Sequence, residues 1–273
     1  MGSLTGYTIS INDPSCGGSS TGPSTPSSNL DHTYVRSDQG DAWGCYGRND
    51  CGNAIVSGGN SNDVNIAKCL AEPNGTAAII YLYTGVCHQC SNRILYPANV
   101  TVSAAHGYAA SVALYGTYGK DYPVFYANVL RCGGSVIREP IPVTSPSNEE
   151  ENERKHHIEV LSLYSKGGKD IHKTIAEDLG LLIQNRCKNK INKSDLMQIK
   201  NSHVELLKKH DQLIKSMDSG NISQKDFIAK TMHILEDKLY QFEKIMGEKE
   251  FLVTFGASPD AASKIFELNN IDK

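Results

Sequence analysis

Cys87 is the residue whose type and position best fit covalent chemistry. It follows an apolar run, residues 77–83, and a glycine, Gly85, and a short amphipathic segment comes after it. This order predicts a buried element, a tight turn and a cysteine at the N-terminus of a helix. Free N–H groups and the positive end of the helix dipole favour a thiolate at such a position. Because the thiolate is the nucleophile, the pattern predicts a nucleophilic cysteine.

A cysteine nucleophile needs an imidazole base within hydrogen-bond reach. His32 is the first candidate, because residues 31–36 are rich in β-branched and aromatic side chains and predict a strand. A turn and a return strand, residues 42–47, are predicted to follow it. Asp41, in that turn, is the nearest candidate for a third catalytic residue that orients the imidazole.

The same stretch offers groups that could stabilise an oxyanion or bind a substrate. The predicted oxyanion donors are the backbone N–H groups around Cys87 and His88, together with Gln89. Trp43, the one tryptophan of the chain, lies on the predicted return strand and is assigned to the substrate side.

Two segments resemble circularly permuted members of the papain-like superfamily, such as relatives of cell-wall amidases and lecithin:retinol acyltransferase-like proteins. They are Asp-His-Thr-Tyr-Val at 31–35 and Gly-Val-Cys-His-Gln-Cys-Ser-Asn-Arg at 85–93. In those proteins a histidine on an early strand precedes a cysteine that starts a later helix. The resemblance covers about residues 30–130 and implies acyl transfer through a thioester. The family has a third polar residue on the strand after the histidine, where this chain has no His, Asn or Gln.

A second arrangement keeps Cys87 and uses other partners. His106 and Asp121 follow the cysteine in the Cys-His-Asp order of transglutaminase-like enzymes. The gap between Cys87 and His106 is short for a helix plus a strand, so His106 stays an alternative base. A polar residue at a helix surface is its structural interpretation.

The other cysteines allow further interpretations. Cys87-x-x-Cys90 has the spacing of a zinc-ligand pair or a redox couple, and Cys45 with Cys51 is a looser second pair. An even number of cysteines among glycine-rich turns also suits disulfides in an exported protein. No metal or other cofactor is assigned. Taken alone, Cys87 would more often be a buried structural thiol than a nucleophile.

Charge divides the chain near residue 145. The first 145 residues contain 7 Lys+Arg and 9 Asp+Glu, and the remainder contains 20 and 21. This shift predicts an N-terminal flexible segment, 1–29, a papain-like domain, 30–137, a proline-rich linker, 138–147, and a helical domain, 148–273. The expected fold class is α+β, with a small antiparallel sheet followed by an all-α hairpin or bundle.

The predicted elements fall into two groups. The C-terminal helices are predicted from apolar residues at spacings of three and four, at 148–166, 170–188, 194–217, 223–246 and from 258. In the N-terminal part we predict strands at 7–11, 99–102 and 122–130, helices at 65–71 and 104–115, and a polar loop at 48–63.

Overall composition excludes some classes of function. The net charge of −3 argues against a basic nucleic-acid binder. No apolar run approaches the roughly 20 residues that span a bilayer, and no signal peptide is recognisable.

The sequence therefore predicts a thiol hydrolase or acyltransferase, of the cysteine peptidase, amidase or transglutaminase-like kind, acting on a peptide, isopeptide or glutamine-type amide. The helical domain is expected to bind a protein partner. A secreted bacterial effector fits this architecture, with a cytoplasmic location as the alternative. The competing class is a non-enzymatic binding module stabilised by disulfides or zinc.

Overall fold

A computed structural model of the chain describes residues 2–10, 31–45, 49–72, 75–134, 148–166 and 170–266. Within these residues it shows an α+β fold with one small sheet and many helices, which confirms the predicted fold class. The predicted linker, 138–147, lies outside the described residues.

The sheet has four antiparallel strands in the order β3-β2-β1-β4. The strands are β1 (Leu4–Ile9), β2 (His32–Ser37), β3 (Ala42–Trp43) and β4 (Asn53–Gly58). Because side chains alternate along a strand, β2 presents two different faces.

One face of β2 carries Thr33 and Val35, which are buried towards the helices. The opposite face carries Tyr34, whose ring stacks on Tyr7 of β1 at 5.0 Å. The ring of His32 stacks on Tyr34 on that same face, at 6.4 Å.

Ten α-helices follow or interrupt the strands in the described residues. They are α1 (Ser61–Ala71), α2 (Cys87–Leu95), α3 (Tyr108–Tyr115), α4 (Tyr122–Arg131), α5 (Asn148–Lys166), α6 (Ile171–Arg186), α7 (Lys193–Asp218), α8 (Gln224–Met246), α9 (Glu248–Phe255) and α10 (Pro259–Ala262).

The C-terminal helices begin and end close to their predicted bounds. Side-chain caps fix their starts, since Asn192 accepts from the Asp195 N–H and Ser223 from the Asp226 N–H. Their apolar stripes are buried as the spacing predicts.

Three predictions in the N-terminal part are wrong. Residues 122–130 form helix α4 rather than a strand, because Pro123 in the first turn favours a helix start and Phe125 and Val129 bury one helical face. The predicted polar loop, 48–63, contains strand β4. Its β-branched residues Ile55 and Val56 favour a strand. No strand forms at 99–102.

One apolar cluster runs through the described parts on both sides of residues 138–147. Helix α3 is buried along its whole length and packs on α6, α7 and α9. Polar contacts reinforce this packing: Asp178 of α6 accepts from the Thr117 N–H at 2.7 Å and from its hydroxyl at 3.0 Å. The sheet, α2 and the C-terminal helices therefore share one core.

Candidate active site

Helix α2 is the structural centre of the site, and all nine of its residues are buried. Most of them are polar, and buried polar groups destabilise a fold unless they are hydrogen-bonded. The polar side chains after Cys87 therefore hold three neighbouring segments, at 31–33, at 77 and at 116–118. The contacts are His88 to the Asp31 carbonyl, Gln89 to the Gly116 carbonyl, Ser91 to the Thr33 hydroxyl, Asn92 to the Thr117 carbonyl, and Arg93 to the Ala77 and Tyr118 carbonyls.

Cys87 is the first residue of α2, as predicted, and it is a free thiol. Its side chain is 5% exposed, and its Sγ lies 3.6 Å from the Asp31 carbonyl oxygen. Burial raises the pKa of this thiol above its ordinary value. Hydrogen bonds from the Thr33 N–H and hydroxyl, and from the N–H groups of Cys87 and His88, lower the pKa only in part. The resting form of Cys87 is therefore the thiol, and the surrounding N–H and hydroxyl donors would stabilise its thiolate.

Asp31 joins the segments around this sulfur. Its carbonyl accepts from the His88 imidazole at 3.1 Å and faces Cys87. Its carboxylate accepts from the Thr8 hydroxyl at 2.9 Å and from the His106 N–H at 3.2 Å, and its own N–H donates to the His106 carbonyl. Sequence reasoning gave Asp31 no role, although its place directly before His32 was a usable signal.

The structure brings the backbone of His32 to the sulfur, because the carbonyl that Cys87 contacts belongs to the Asp31–His32 peptide. The imidazole of His32 is not brought to the sulfur with its backbone. It stacks on Tyr34, on the opposite face of β2 from Thr33.

His88 is buried, and both of its ring nitrogens have partners. Nε2 donates to the Asp31 carbonyl, and Nδ1 lies 2.9 Å from the Ser111 hydroxyl, which itself donates to the Tyr108 carbonyl. Burial lowers the pKa of His88 to about 3. This imidazole is therefore a neutral positioning group.

The alternative base, His106, lies beside Asp31, whose carbonyl contacts the sulfur. It is exposed in the loop before α3, and two backbone bonds tie it to Asp31. Its proposed partner, Asp121, is not brought to it, because that carboxylate accepts from the buried Arg93 guanidinium.

The remaining predicted residues have structural contacts. Asp41 follows the far end of β2, where it accepts from Ser37 at 3.3 Å and lies 3.6 Å from the Lys68 ammonium. Gln89 accepts from the Val86 N–H and so caps α2. Trp43 pairs with Val35 across the sheet and packs on the shared core.

Within the described residues, two disulfides link Cys45 to Cys90 and Cys69 to Cys132. The Cys87-x-x-Cys90 pair is therefore neither a dithiol zinc pair nor a closed redox couple. Among the residues whose side chains the structure describes, no group of three or more His, Cys, Asp or Glu could hold a metal ion.

Replacing Asp31 with alanine tests its role as the connection between these segments. We expect the free energy of unfolding to fall by about 2–3 kcal/mol, because the Thr8 hydroxyl and the His106 N–H lose a carboxylate acceptor. Amide hydrogen exchange at His106 should accelerate, whereas Asp237→Ala, at an exposed position, should change neither quantity. Unchanged exchange at His106 would show that Asp31 does not hold this loop.

Comparisons of the chain with protein-family models, with curated proteins and with solved structures found no match.

Proposed function

We propose that the chain is a thiol-dependent hydrolase or acyltransferase whose nucleophile is Cys87. The observation that carries the proposal is a free cysteine at the first position of α2, a buried helix, with hydrogen-bond donors around its sulfur. The substrate class is an amide: a peptide, an isopeptide or a glutamine side chain. The papain-like resemblance points to the same chemistry.

The resting thiol requires a base. His88 does not serve, since both nitrogens are bonded and its pKa is lowered to about 3. We assign the proton transfer to His32, whose imidazole must first turn from its stack on Tyr34 towards the sulfur that its peptide contacts, with His106 as the alternative. In the first step the Cys87 proton passes to the imidazole, the sulfur attacks the carbonyl carbon, and the imidazole returns the proton to the departing amine.

The donors around the sulfur have a second role in this scheme. The N–H groups of Cys87, His88 and Thr33 would stabilise the oxyanion of the tetrahedral intermediate. Water or an amine then attacks the thioester and frees the thiol. Asp31, rather than Asp41, is the carboxylate we assign to positioning, because it braces the segments next to Cys87.

An activated acyl ester, p-nitrophenyl acetate, tests this proposal with an internal control. Cys187 is also free and buried, but it lies at the C-terminal end of α6, where the helix dipole disfavours a thiolate. We expect acetylation of Cys87, located by peptide mass spectrometry at pH 7.5, to be at least about tenfold faster than that of Cys187. Equal rates at the two cysteines would reject the nucleophile.

Single variants then locate the base. His32→Ala should reduce acetylation of Cys87 to the rate of Cys187, whereas His106→Ala should leave it unchanged. If instead only His106→Ala slowed the acetylation of Cys87, the general base would be His106.

The second candidate function is a non-enzymatic, disulfide-stabilised protein-binding module. The observation in its favour is that every polar side chain of α2 after Cys87 already bonds a neighbouring segment. The long antiparallel pair α7 and α8 would then present the binding surface to a protein partner. A Cys87→Ser variant separates the two functions, since it should abolish acyl transfer and leave binding of a partner intact.

The setting we propose is secretion, as for a bacterial effector, because disulfides persist in oxidising compartments. In the part of the chain that the structure describes, no helix combines the length and apolar character needed to cross a membrane.

A further inference from the structure

The first turn of α2 holds a free thiol and a disulfide sulfur side by side. Cys87 and Cys90 are three residues apart, which places them about 60° apart around the helix and on one face. Cys90 is bonded to Cys45, which lies just after β3, with 6.1 Å between their Cα atoms. The free thiol is thus one helical turn from a disulfide that fastens the sheet to α2.

We infer that Cys87 can displace Cys45 from Cys90 by thiol–disulfide exchange within the molecule. The Cys87 thiolate attacks the Cys90 sulfur, the Cys45–Cys90 bond breaks, and a Cys87–Cys90 bond forms. Cys45 leaves as a thiolate and takes up the proton that Cys87 lost. One disulfide replaces another, so no oxidant or reductant is consumed.

The surroundings of the sulfurs support both ends of this exchange. The N–H groups of Cys87 and His88 and the Thr33 N–H and hydroxyl stabilise the attacking thiolate. On the other side, the Thr76 carbonyl oxygen lies 3.3 Å from the Cys45 Sγ. It is placed to accept the S–H of the released thiol.

Helix geometry determines which disulfide prevails at rest. Cβ atoms three residues apart in a regular helix are separated by about 5–6 Å, whereas a disulfide needs about 3.5–4.5 Å. The first turn of α2 must tighten for the Cys87–Cys90 bond to form. The Cys45–Cys90 form is therefore the resting state, and the exchanged form accumulates when the Cys45 thiol is captured.

The exchange goes beyond the proposed acyl transfer and does not depend on it. It moves the free thiol from Cys87 to Cys45, and so it would both block the proposed nucleophile and release the covalent link between the end of β3 and α2. Acylation is measured on Cys87 with the Cys45–Cys90 bond intact, so failure of either proposal can be recognised separately.

Trapping with iodoacetamide tests the inference on the native, non-reduced chain. After incubation at pH 8.5, unfolding and non-reducing peptide mapping, we expect alkylated Cys45 in molecules that carry a Cys87–Cys90 disulfide. Cys87→Ser should lower alkylation of Cys45 by at least about tenfold, because the attacking thiol is gone, while alkylation of Cys187 stays unchanged.

Three results would overturn the inference. In the first, all alkylated molecules carry the label on Cys87 with the Cys45–Cys90 bond intact, and none carries a Cys87–Cys90 disulfide. In the second, Cys45 is alkylated equally in the wild type and in Cys87→Ser, which would indicate general opening of the fold. In the third, neither Cys45 nor Cys87 is modified over the time in which the unfolded chain is fully alkylated.

Discussion

Replacing Arg93 with methionine is expected to lower the free energy of unfolding by about 3–5 kcal/mol, because it removes one partner of a buried ion pair. The Arg93 side chain is fully buried and donates to the Tyr118 carbonyl at 2.6 Å, the Ala77 carbonyl at 3.0 Å and the Asp121 carboxylate. Methionine fills much of the volume but leaves all three acceptors without this donor.

The same variant should loosen the loop that leads to Cys87. Ala77 and Ala78, at its start, have left-handed backbone angles, with φ of 48° and 59°. Such angles are unfavourable for residues with a Cβ and persist only when neighbouring contacts impose them. The Arg93 bond to the Ala77 carbonyl is one of those contacts.

Urea denaturation with intact disulfides measures the effect of Arg93→Met. Lys200→Met is the matched control, since it removes a partly exposed ion pair with Glu177 and should cost less than about 1 kcal/mol. Asp121→Asn should also destabilise, and the double variant with Arg93→Met should lose less than the two single losses combined. A loss below about 1 kcal/mol for Arg93→Met would contradict a structural role for this pair.

The Arg93 contacts also show where sequence reasoning stops. A turn followed by a helix that starts at Cys87 could be predicted, because the glycine and the apolar run are local signals. The partners of Gln89 and Arg93 could not, since they are carbonyl groups from loops 16 to 27 residues away. Asp121 was matched to His106 by order along the chain, whereas in three dimensions the buried guanidinium takes its carboxylate.

The same contrast separates the two halves of the fold. The α7 and α8 bounds could be predicted because caps and a spacing of three and four residues are encoded within each helix. The alternation of aromatic and aliphatic residues in 122–130 led to a wrong prediction of a strand, since a short segment of this kind fits either a strand or a buried helix. The orientation of the His32 ring depends on which face of β2 packs on α2, and sheet order decides that face.

Acidification is expected to unfold the protein between about pH 6 and pH 4. Burial lowers the pKa of His88 and His157 to about 3, that of His156 and His203 to about 4, and that of His210 well below its ordinary value. The ordinary histidine pKa is about 6.5. Below that pH these histidines are protonated in the unfolded chain but stay neutral in the folded chain. The free energy of unfolding therefore falls as the pH falls.

One buried carboxyl group acts in the opposite direction. Burial raises the pKa of Asp178 to about 6, while its bonds from Tyr164 and Thr117 lower the pKa in part. Between its unfolded value of 3.8 and pH 6 the folded state therefore binds one proton more than the unfolded state. Against five histidines this leaves about four protons in favour of unfolding, or about 5 kcal/mol per pH unit.

Denaturant titrations at pH 7, 6, 5.5 and 5 measure this slope. His203→Gln should reduce the slope by about 1.4 kcal/mol per pH unit, because one group that is protonated only in the unfolded chain is removed. The glutamine amide can still donate to the Ala113 carbonyl that His203 contacts. His233→Gln, at an exposed position, should leave the slope unchanged. Typical domains have only about 5–15 kcal/mol in total, so two pH units below pH 6 suffice to remove most of it. Equal stability at pH 7 and pH 5 would show that the buried imidazoles take up protons without loss of the fold.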